Sequence, residues 1–200
     1  MVIEATGKFV KKKAAQTMTL ARKILGMMMA WGLVFSLVTI GDLKVAFDFD
    51  DTLVFSTPSY TRAFQSGVQP FSPKFWEVVN SSYHLERPKP VPYAIAWMFR
   101  ILGFDVTVLT SRPGYGGEAL RKEWRFLATS FIFTSGGANK YKYLTGRNYV
   151  LFFGDSDSDI AQGRRAKVLT LRVKRSAKSS YREDYHPGSL REIVIPFTEY

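Results

Sequence analysis

The stretch VAFDFDDTLVFSTP, residues 45–58, places three aspartates inside a run of apolar residues. Asp48, Asp50 and Asp51 lie next to a segment that reads as a buried strand. Carboxylates this close repel one another, and burying them without a partner is unfavourable. We therefore expect a positively charged partner at this position.

The rest of the chain alternates short apolar strands with helical stretches. Strands are predicted at 43–48, 105–110, 131–134, 149–155, 167–173 and 191–196, and helices at 91–103, 116–128 and 158–166. Near-continuous apolar strands separated by helices indicate a parallel sheet covered on both faces, a Rossmann-like α/β fold. Residues 53–90 are rich in aromatic residues and proline and interrupt the alternation. They are predicted to form a small cap inserted after the first strand.

A second acidic sequence, GDSDSD at residues 154–159, ends another predicted strand. In parallel sheets ligands bind beyond the carboxyl ends of the strands, so both groups of aspartates are expected in one crevice. Side chains along a strand alternate between its two faces, so Asp48 and Asp50, two residues apart, are expected to project to the same side. Oxygen ligands of this kind suit Mg²⁺, which commonly keeps several waters. The sequence thus predicts a Mg²⁺ site.

Composition excludes several classes of function. The 200 residues suffice for one domain, and the absence of cysteine excludes disulfides, thiolate metal sites and cysteine nucleophiles. The net charge is +11, but no basic stripe with interleaved aromatic residues is evident after the basic amino-terminal segment. We expect no nucleic-acid polymer as a partner, because an anionic small molecule explains the charge as well.

The amino-terminal segment has the layout of an export signal. Residues 1–23 are basic, and residues 24–40 contain no charged residue. A basic segment followed by an apolar run is typical of a secretory signal or a signal anchor. No clean small-x-small cleavage site follows the apolar run. A buried core helix is the alternative. We predict a head at 1–41 and a catalytic domain at 42–200, exported or anchored with membrane contact through residues 24–40, rather than cytoplasmic.

Four motifs resemble the haloacid dehalogenase (HAD) superfamily: FDFDDT, then TSR, then a lysine, then GDSDSD. The segments FDFDDTLVFSTP, PKFWEVVN, VLTSRP and FFGDSDSDI, with the carboxyl-terminal stretch, are similar to the class B acid phosphatases over residues 45–200. The resemblance implies a Mg²⁺-dependent acid phosphatase acting on small phosphomonoesters, including nucleoside monophosphates, with transfer to alcohols as a second activity. It also implies a homotetramer. The chain before Asp42 departs from the family pattern.

The resemblance also implies residue roles. Asp48 would be the nucleophile, Asp50 the general acid and base, and Lys140 the cation that neutralises phosphate and nucleophile. Mg²⁺ and Lys140 would hold the pKa of Asp48 low. The substrate-binding residues implied are Thr110, Ser111 and Arg112, with an aromatic pocket of Tyr60, Trp76 and Tyr181. The metal-binding residues implied are Asp48, Asp155, Asp159 and the backbone carbonyl of Asp50.

Some interpretations remain open at this level. Asp157 is equally suited to capping the next helix and to binding metal. Lys142, two residues after Lys140, is the alternative candidate for the catalytic lysine. His84 and His186 are expected at the rim or on the surface. A second hypothesis is a membrane-associated phosphate-binding module without turnover, whose head brings the site close to the membrane or distorts the first strand.

Overall fold

A computed structural model describes residues 2–180 and 184–200, with side chains described from residue 16 onward. The strands are β1 (Lys44–Asp48), β2 (Val54–Phe55), β3 (Arg87–Pro88), β4 (Asp105–Thr110), β5 (Ser130–Phe133), β6 (Tyr149–Gly154), β7 (Leu169–Val173) and β8 (Ile193–Ile195). Six of them form one parallel sheet in the order β5-β4-β1-β6-β7-β8. The expected parallel α/β fold is therefore confirmed.

Some helices cover the two faces of this sheet, two lie in sequence between β2 and β3, and one precedes β1. They are α1 (Val2–Ile40), α2 (Thr57–Phe64), α3 (Pro73–Ser81), α4 (Pro90–Ile101), α5 (Glu118–Glu123), α6 (Lys140–Leu144) and α7 (Asp157–Arg165). Successive side chains of β1 point to opposite faces, as the strand period requires. Val45 and Phe47 join the core cluster that includes Ala96 of α4, whereas Ala46 joins the cluster that includes Leu144 of α6. Burial on both faces explains why every residue of β1 between Lys44 and Asp48 is apolar.

The cap follows β1 directly. Strands β2 and β3 pair antiparallel, and helices α2 and α3 lie between them in sequence. The two helices pack around a small core of Ala63, Phe75 and Val79. Ser72 caps α3, since its side chain accepts a hydrogen bond from the Phe75 amide at 3.2 Å.

One predicted helix is much shorter than expected. Residues 116–128 were predicted to be helical throughout, but α5 ends at Glu123 and a 3₁₀ turn covers Trp124–Phe126. Trp124 is buried and packs edge-on against Phe49 and Tyr93. Anchoring of this ring in the core outweighs the helical tendency of the segment, which is a weak preference.

Helix α1 is not a buried core helix. Most of its described side chains are exposed, and Gln16–Ile40 is long and apolar enough to cross a membrane by length and composition. The helix leads into the amino end of β1, and β1 pairs in continuous register with β4. Because α1 joins β1 at its amino end, the carboxyl ends of the strands lie at the other end of the sheet from α1. Strand β1 has one register shift against β6, between Lys44 and Val45. That the head brings the site close to a membrane or distorts the first strand stays a prediction.

Candidate active site

Three buried carboxylates meet where β1 and β6 end. Asp48 is the last residue of β1, Asp155 follows β6, and Asp159 lies in the first turn of α7. One oxygen from each lies within 4.8 Å of the others. Ser156 fixes Asp159 in a capping box, because its hydroxyl accepts from the Asp159 amide at 3.0 Å and donates to the Asp159 carboxylate at 2.7 Å.

Lys140 joins two of these carboxylates. Its buried ammonium donates to Asp48, and to Asp159 at 2.6 Å. Burial alone would lower the pKa of Lys140, but Asp159 and Asp48 outweigh burial and raise that pKa above its usual value. Lys142 is exposed and donates to Asn139 instead. The fold thus brings Lys140, and not its neighbour, into the site.

Asp155 is held from the other side. The Arg175 guanidinium donates to its Oδ2, and the Thr52 hydroxyl donates to its Oδ1 at 3.1 Å. Thr52 therefore ties the loop after β1 to the end of β6. Arg175 lies beyond β7 in a segment whose sequence gave no sign of such a contact.

The charges of the cluster favour an added cation. Three carboxylates face two protein cations, Lys140 and Arg175. Burial raises the pKa of Asp48 well above its usual value, although Lys140 lowers it. Lys140 alone therefore does not keep the pKa of Asp48 low, and the low pKa expected from the sequence requires Mg²⁺ as well as Lys140. The buried oxygen donors and the excess of negative charge fit a Mg²⁺ ion, which would supply the missing positive charge.

Asp50 lies on the same side of β1 as Asp48 but has different partners. Phe49 between them is completely buried in the core, so both aspartates project away from it, as the strand period predicts. The Thr110 hydroxyl donates to Asp50 at 3.2 Å, and Arg112 Nη2 donates to Asp50 at 2.5 Å. The crevice thus contains two separate carboxylate environments.

Arg112 connects Asp50 to the cap. Its guanidinium is completely buried and also donates to Glu86 at 2.5 Å, while the Ser59 hydroxyl donates to the same Glu86 oxygen at 2.7 Å. Burial would lower the pKa of Arg112, but Asp50 and Glu86 reverse this effect. Burial also raises the pKa of Glu86, to about 7. Arg112 is therefore engaged by two carboxylates in this structure, whereas the resemblance implies a hold on substrate.

Truncation of Glu86 should destabilise the protein. Glu86→Ala leaves the buried Arg112 and Ser59 each with one partner fewer, so we expect a loss on the order of 3 kcal/mol in the free energy of unfolding. Glu77→Ala is the matched control, because Glu77 forms an exposed pair with Lys74 and should cost at most about 1 kcal/mol. Denaturant unfolding measures both values. Equal, small losses would show that Glu86 does not hold the cap to Asp50.

Asp51 supports the loop after β1 rather than the carboxylate cluster. The Ser179 hydroxyl donates to its carboxylate, and the buried Lys89 ammonium donates at 2.6 Å both to the Asp51 carbonyl and to the Lys174 carbonyl. Burial raises the pKa of Asp51 to about 6 and lowers that of Lys89 to about 8. Glu86 and Lys89 lie outside the recognised motifs, and Ser179 begins the carboxyl-terminal stretch that resembles the family, but no local pattern predicts the contacts of these three residues.

Two of the three predicted aromatic residues, Tyr60 and Trp76, lie on the cap helices α2 and α3. Tyr60 and Trp76 pack edge to face with ring centroids 6.1 Å apart, and the Arg112 guanidinium lies 5.3 Å from the Tyr60 ring. Ser111 is half-buried between Thr110 and Arg112. Tyr181, the third predicted aromatic residue, lies outside the described residues.

Asp157 has neither of its two expected roles. The cap of α7 is Ser156, and Asp157 instead pairs with Arg172 and with His186, each at 2.7 Å. Hydrogen bonds from His186 and Arg172 lower the pKa of Asp157 and outweigh its slight burial, which acts in the opposite direction. Asp157 thus ties α7 to the carboxyl-terminal segment. His186 is exposed, and His84 is exposed at the rim of the cap, both as expected.

Comparison with known structures identifies the fold. The structure of CbbY from Rhodobacter sphaeroides, in complex with phosphate, matches with a TM-score of 0.56 at 13% identity and covers 78% of this chain and 95% of that one. A crystal structure described as that of a predicted phosphoglycolate phosphatase from Haemophilus somnus matches with a TM-score of 0.54 at 15% identity, covering 79% of this chain and 96% of that one. The architecture is therefore the HAD fold.

Sequence comparison identifies the family to which this chain belongs. The chain is 30% identical over 177 residues to a class B acid phosphatase of Klebsiella pneumoniae, covering 79% of this chain and 73% of the relative. It is 30% identical over 184 residues to another from Enterobacter sp., covering 82% and 76%. No family model matches the chain. The chain belongs to the class B acid phosphatases and is a phosphomonoester hydrolase.

Proposed function

We propose that this hydrolase is a Mg²⁺-dependent acid phosphatase that works through a phosphorylated Asp48. What supports this assignment is the position of Asp48: it ends β1 inside the carboxylate cluster and accepts a hydrogen bond from Lys140. Phosphoryl transfer requires mainly positioning and neutralisation of charge. Lys140 supplies a buried positive charge beside the reacting group.

The proposed reaction has two steps. First, an Asp48 oxygen attacks phosphorus while the bond from phosphorus to the ester oxygen breaks, and Asp50 gives its proton to the leaving alcohol. Then Asp50 takes a proton from water, the water oxygen bonds to phosphorus, and the bond from phosphorus to Asp48 breaks. Phosphate is released and both aspartates return to their starting states. An alcohol in place of this water would give phosphotransfer.

The metal would be held by Asp48, Asp155, the Asp50 carbonyl and Asp159, directly or through water. When bound, Mg²⁺ neutralises charge on the phosphoryl oxygens and on Asp48. The phosphate is proposed to bind to Thr110, Ser111 and Arg112. To do so, Arg112 must replace one of its hydrogen bonds to Asp50 with a hydrogen bond to the phosphate. Tyr60, Trp76 and Tyr181 are proposed to receive the leaving group, whose chemical class includes nucleosides.

Removal of divalent cations should abolish hydrolysis of p-nitrophenyl phosphate. Without a cation, burial raises the pKa of Asp48 and so disfavours the ionised form that attacks phosphorus. We expect chelation to remove activity and added Mg²⁺ to restore it. Asp155→Asn should raise the Mg²⁺ concentration needed for half-maximal activity by about tenfold or more. Asp42→Asn, at the opposite edge of the sheet, is the matched control and should change nothing.

The same assay tests the alternative of a phosphate-binding module without turnover. Binding of a phosphate analogue such as vanadate, with no hydrolysis at any Mg²⁺ concentration, would favour that alternative. Persistent activity in the presence of chelator would instead contradict the metal requirement. Failure to bind oligonucleotides at low salt is the expected control result.

A further inference from the structure

The apolar part of α1 exposes side chains around its whole circumference. Met27, Met28 and Met29 are 70%, 63% and 69% exposed. Consecutive helical residues point about 100° apart, so three of them cover most of the helix surface. A helix that is apolar on all sides belongs in a protein core or in a membrane. Only 6% of the apolar window is buried in this structure, so the rest of the described chain does not cover it.

The last turns of α1 are fixed to the domain. Val38 is 5% exposed, and the Phe35 ring lies so close to Gly103, before β4, that a Cβ there would be 2.8 Å from it. The Gly41 amide donates to the Leu37 carbonyl at 3.0 Å. There is no long flexible linker between α1 and β1, so the direction of α1 fixes the orientation of the sheet.

The edge of the sheet that adjoins the end of α1 is basic and apolar. We call this edge the amino edge. It consists of the connections that precede five strands of the sheet, together with the helix and turn residues that lead into these connections. The connections are residues 41–43 before β1, 102–104 before β4, 127–129 before β5, 145–148 before β6 and 166–168 before β7. Phe126 and Ile101 are 68% and 59% exposed at this edge, and Arg125, Arg147 and Lys167 are exposed beside them.

Acidic residues at the amino edge are few and partly neutralised. Asp42 pairs with Lys44 at 3.0 Å, and Asp105 begins β4 next to the same lysine. Anionic phospholipid headgroups attract exposed lysine and arginine, and apolar side chains insert at the interface. The composition of the amino edge therefore complements an anionic lipid surface.

We propose that α1 stays attached as a membrane anchor and that the amino edge lies on the anionic bilayer surface. The basic residues before the apolar run would remain cytoplasmic and the domain would be exported. The candidate active site lies at the other end of strands of five or six residues, about 16–20 Å from this surface. The site then faces water and diffusing substrates. The proposal holds whichever phosphomonoester is hydrolysed.

Fluorescence quenching tests the orientation. The chain contains no cysteine, so Ile101→Cys at the amino edge and Tyr115→Cys beyond the carboxyl end of β4 each give one labelling position. Both side chains are exposed. The labelled full-length chain is placed in nanodiscs that contain phosphatidylglycerol and a lipid with a quencher on its headgroup. We expect strong quenching at position 101 and little at 115, whereas equal quenching or the reverse order would overturn the orientation.

A charge-reversed pair tests the lipid contact. Arg125→Glu with Arg147→Glu should reduce quenching at position 101 and leave hydrolysis of p-nitrophenyl phosphate unchanged. The matched control is Arg62→Glu with Lys74→Glu, two exposed residues of the cap, which should leave quenching unchanged. Equal effects of the two pairs would contradict the contact with headgroups.

The mass of the mature chain tests the anchor itself. When the full sequence is expressed in a bacterial host, we expect it in the membrane fraction, resistant to carbonate extraction, and with residues 1–41 present. A soluble exported chain that has lost these residues would overturn the proposal. This outcome would leave the phosphatase assignment intact, because activity is measured separately.

Discussion

Asp48→Asn should abolish hydrolysis of every phosphomonoester, regardless of its leaving group. The amide cannot form the bond to phosphorus that the first step requires, so we expect turnover to fall by about 10⁴-fold or more. A merely electrostatic role for Asp48 would give a smaller loss that varies between substrates. Initial rates with p-nitrophenyl phosphate and with an alkyl phosphate measure the difference.

The control for this substitution is structural. Asp48 is buried and accepts a hydrogen bond from Lys140, so its replacement also alters packing in the site. The thermal midpoint of Asp48→Asn should therefore be compared with that of the unchanged protein. Substantial residual activity in a well-folded variant would rule out Asp48 as the nucleophile.

Asp50→Asn should slow the first step most for substrates with poor leaving groups. An alcohol of high pKa needs a proton as it leaves, and general acid catalysis contributes about 10²–10⁴-fold. The p-nitrophenolate ion leaves readily without a proton, so phosphorylation of Asp48 should slow much less with that substrate. The expected result is a loss that increases steadily with the pKa of the leaving alcohol.

Single-turnover kinetics are needed for this test because Asp50 is also proposed to activate water in the second step. The measurement is the rate of phosphoryl-enzyme formation across aryl and alkyl phosphates of graded leaving-group pKa. Thr110 and Arg112 both donate to Asp50, so its position in the variant should be checked by crystallography. Equal losses across the series would show that Asp50 is not the general acid.

The sequence predicts the sheet and the carboxylate cluster well because both depend on local patterns. The continuous apolar residues of β1 specify a strand buried on both faces, and the aspartates after β1 and β6 follow from the strand ends. The fold buries Lys140, the lysine to which the resemblance assigns a catalytic role, and exposes its neighbour Lys142. Its catalytic role remains a prediction.

The supporting contacts could not be predicted, because they join segments that are distant in sequence. Arg112 donates a hydrogen bond to Glu86, which lies 26 residues away in sequence, and Ser179 donates one to Asp51, which lies 128 residues away. No local sequence pattern indicates either of these hydrogen bonds. Asp157 was misassigned for a related reason: its partners Arg172 and His186 come from later segments that only the folded sheet brings near α7.

Chemical trapping of the phosphoryl enzyme tests the central claim most directly. The full-length protein is mixed with substrate and Mg²⁺, quenched with acid within the first turnover, and digested for tandem mass spectrometry. We expect a phosphoryl group on Asp48 within residues 45–58, and none in the Asp48→Asn variant. Release of alcohol in the first turnover with no phosphoryl group on the protein, or with that group on another residue, would contradict the account.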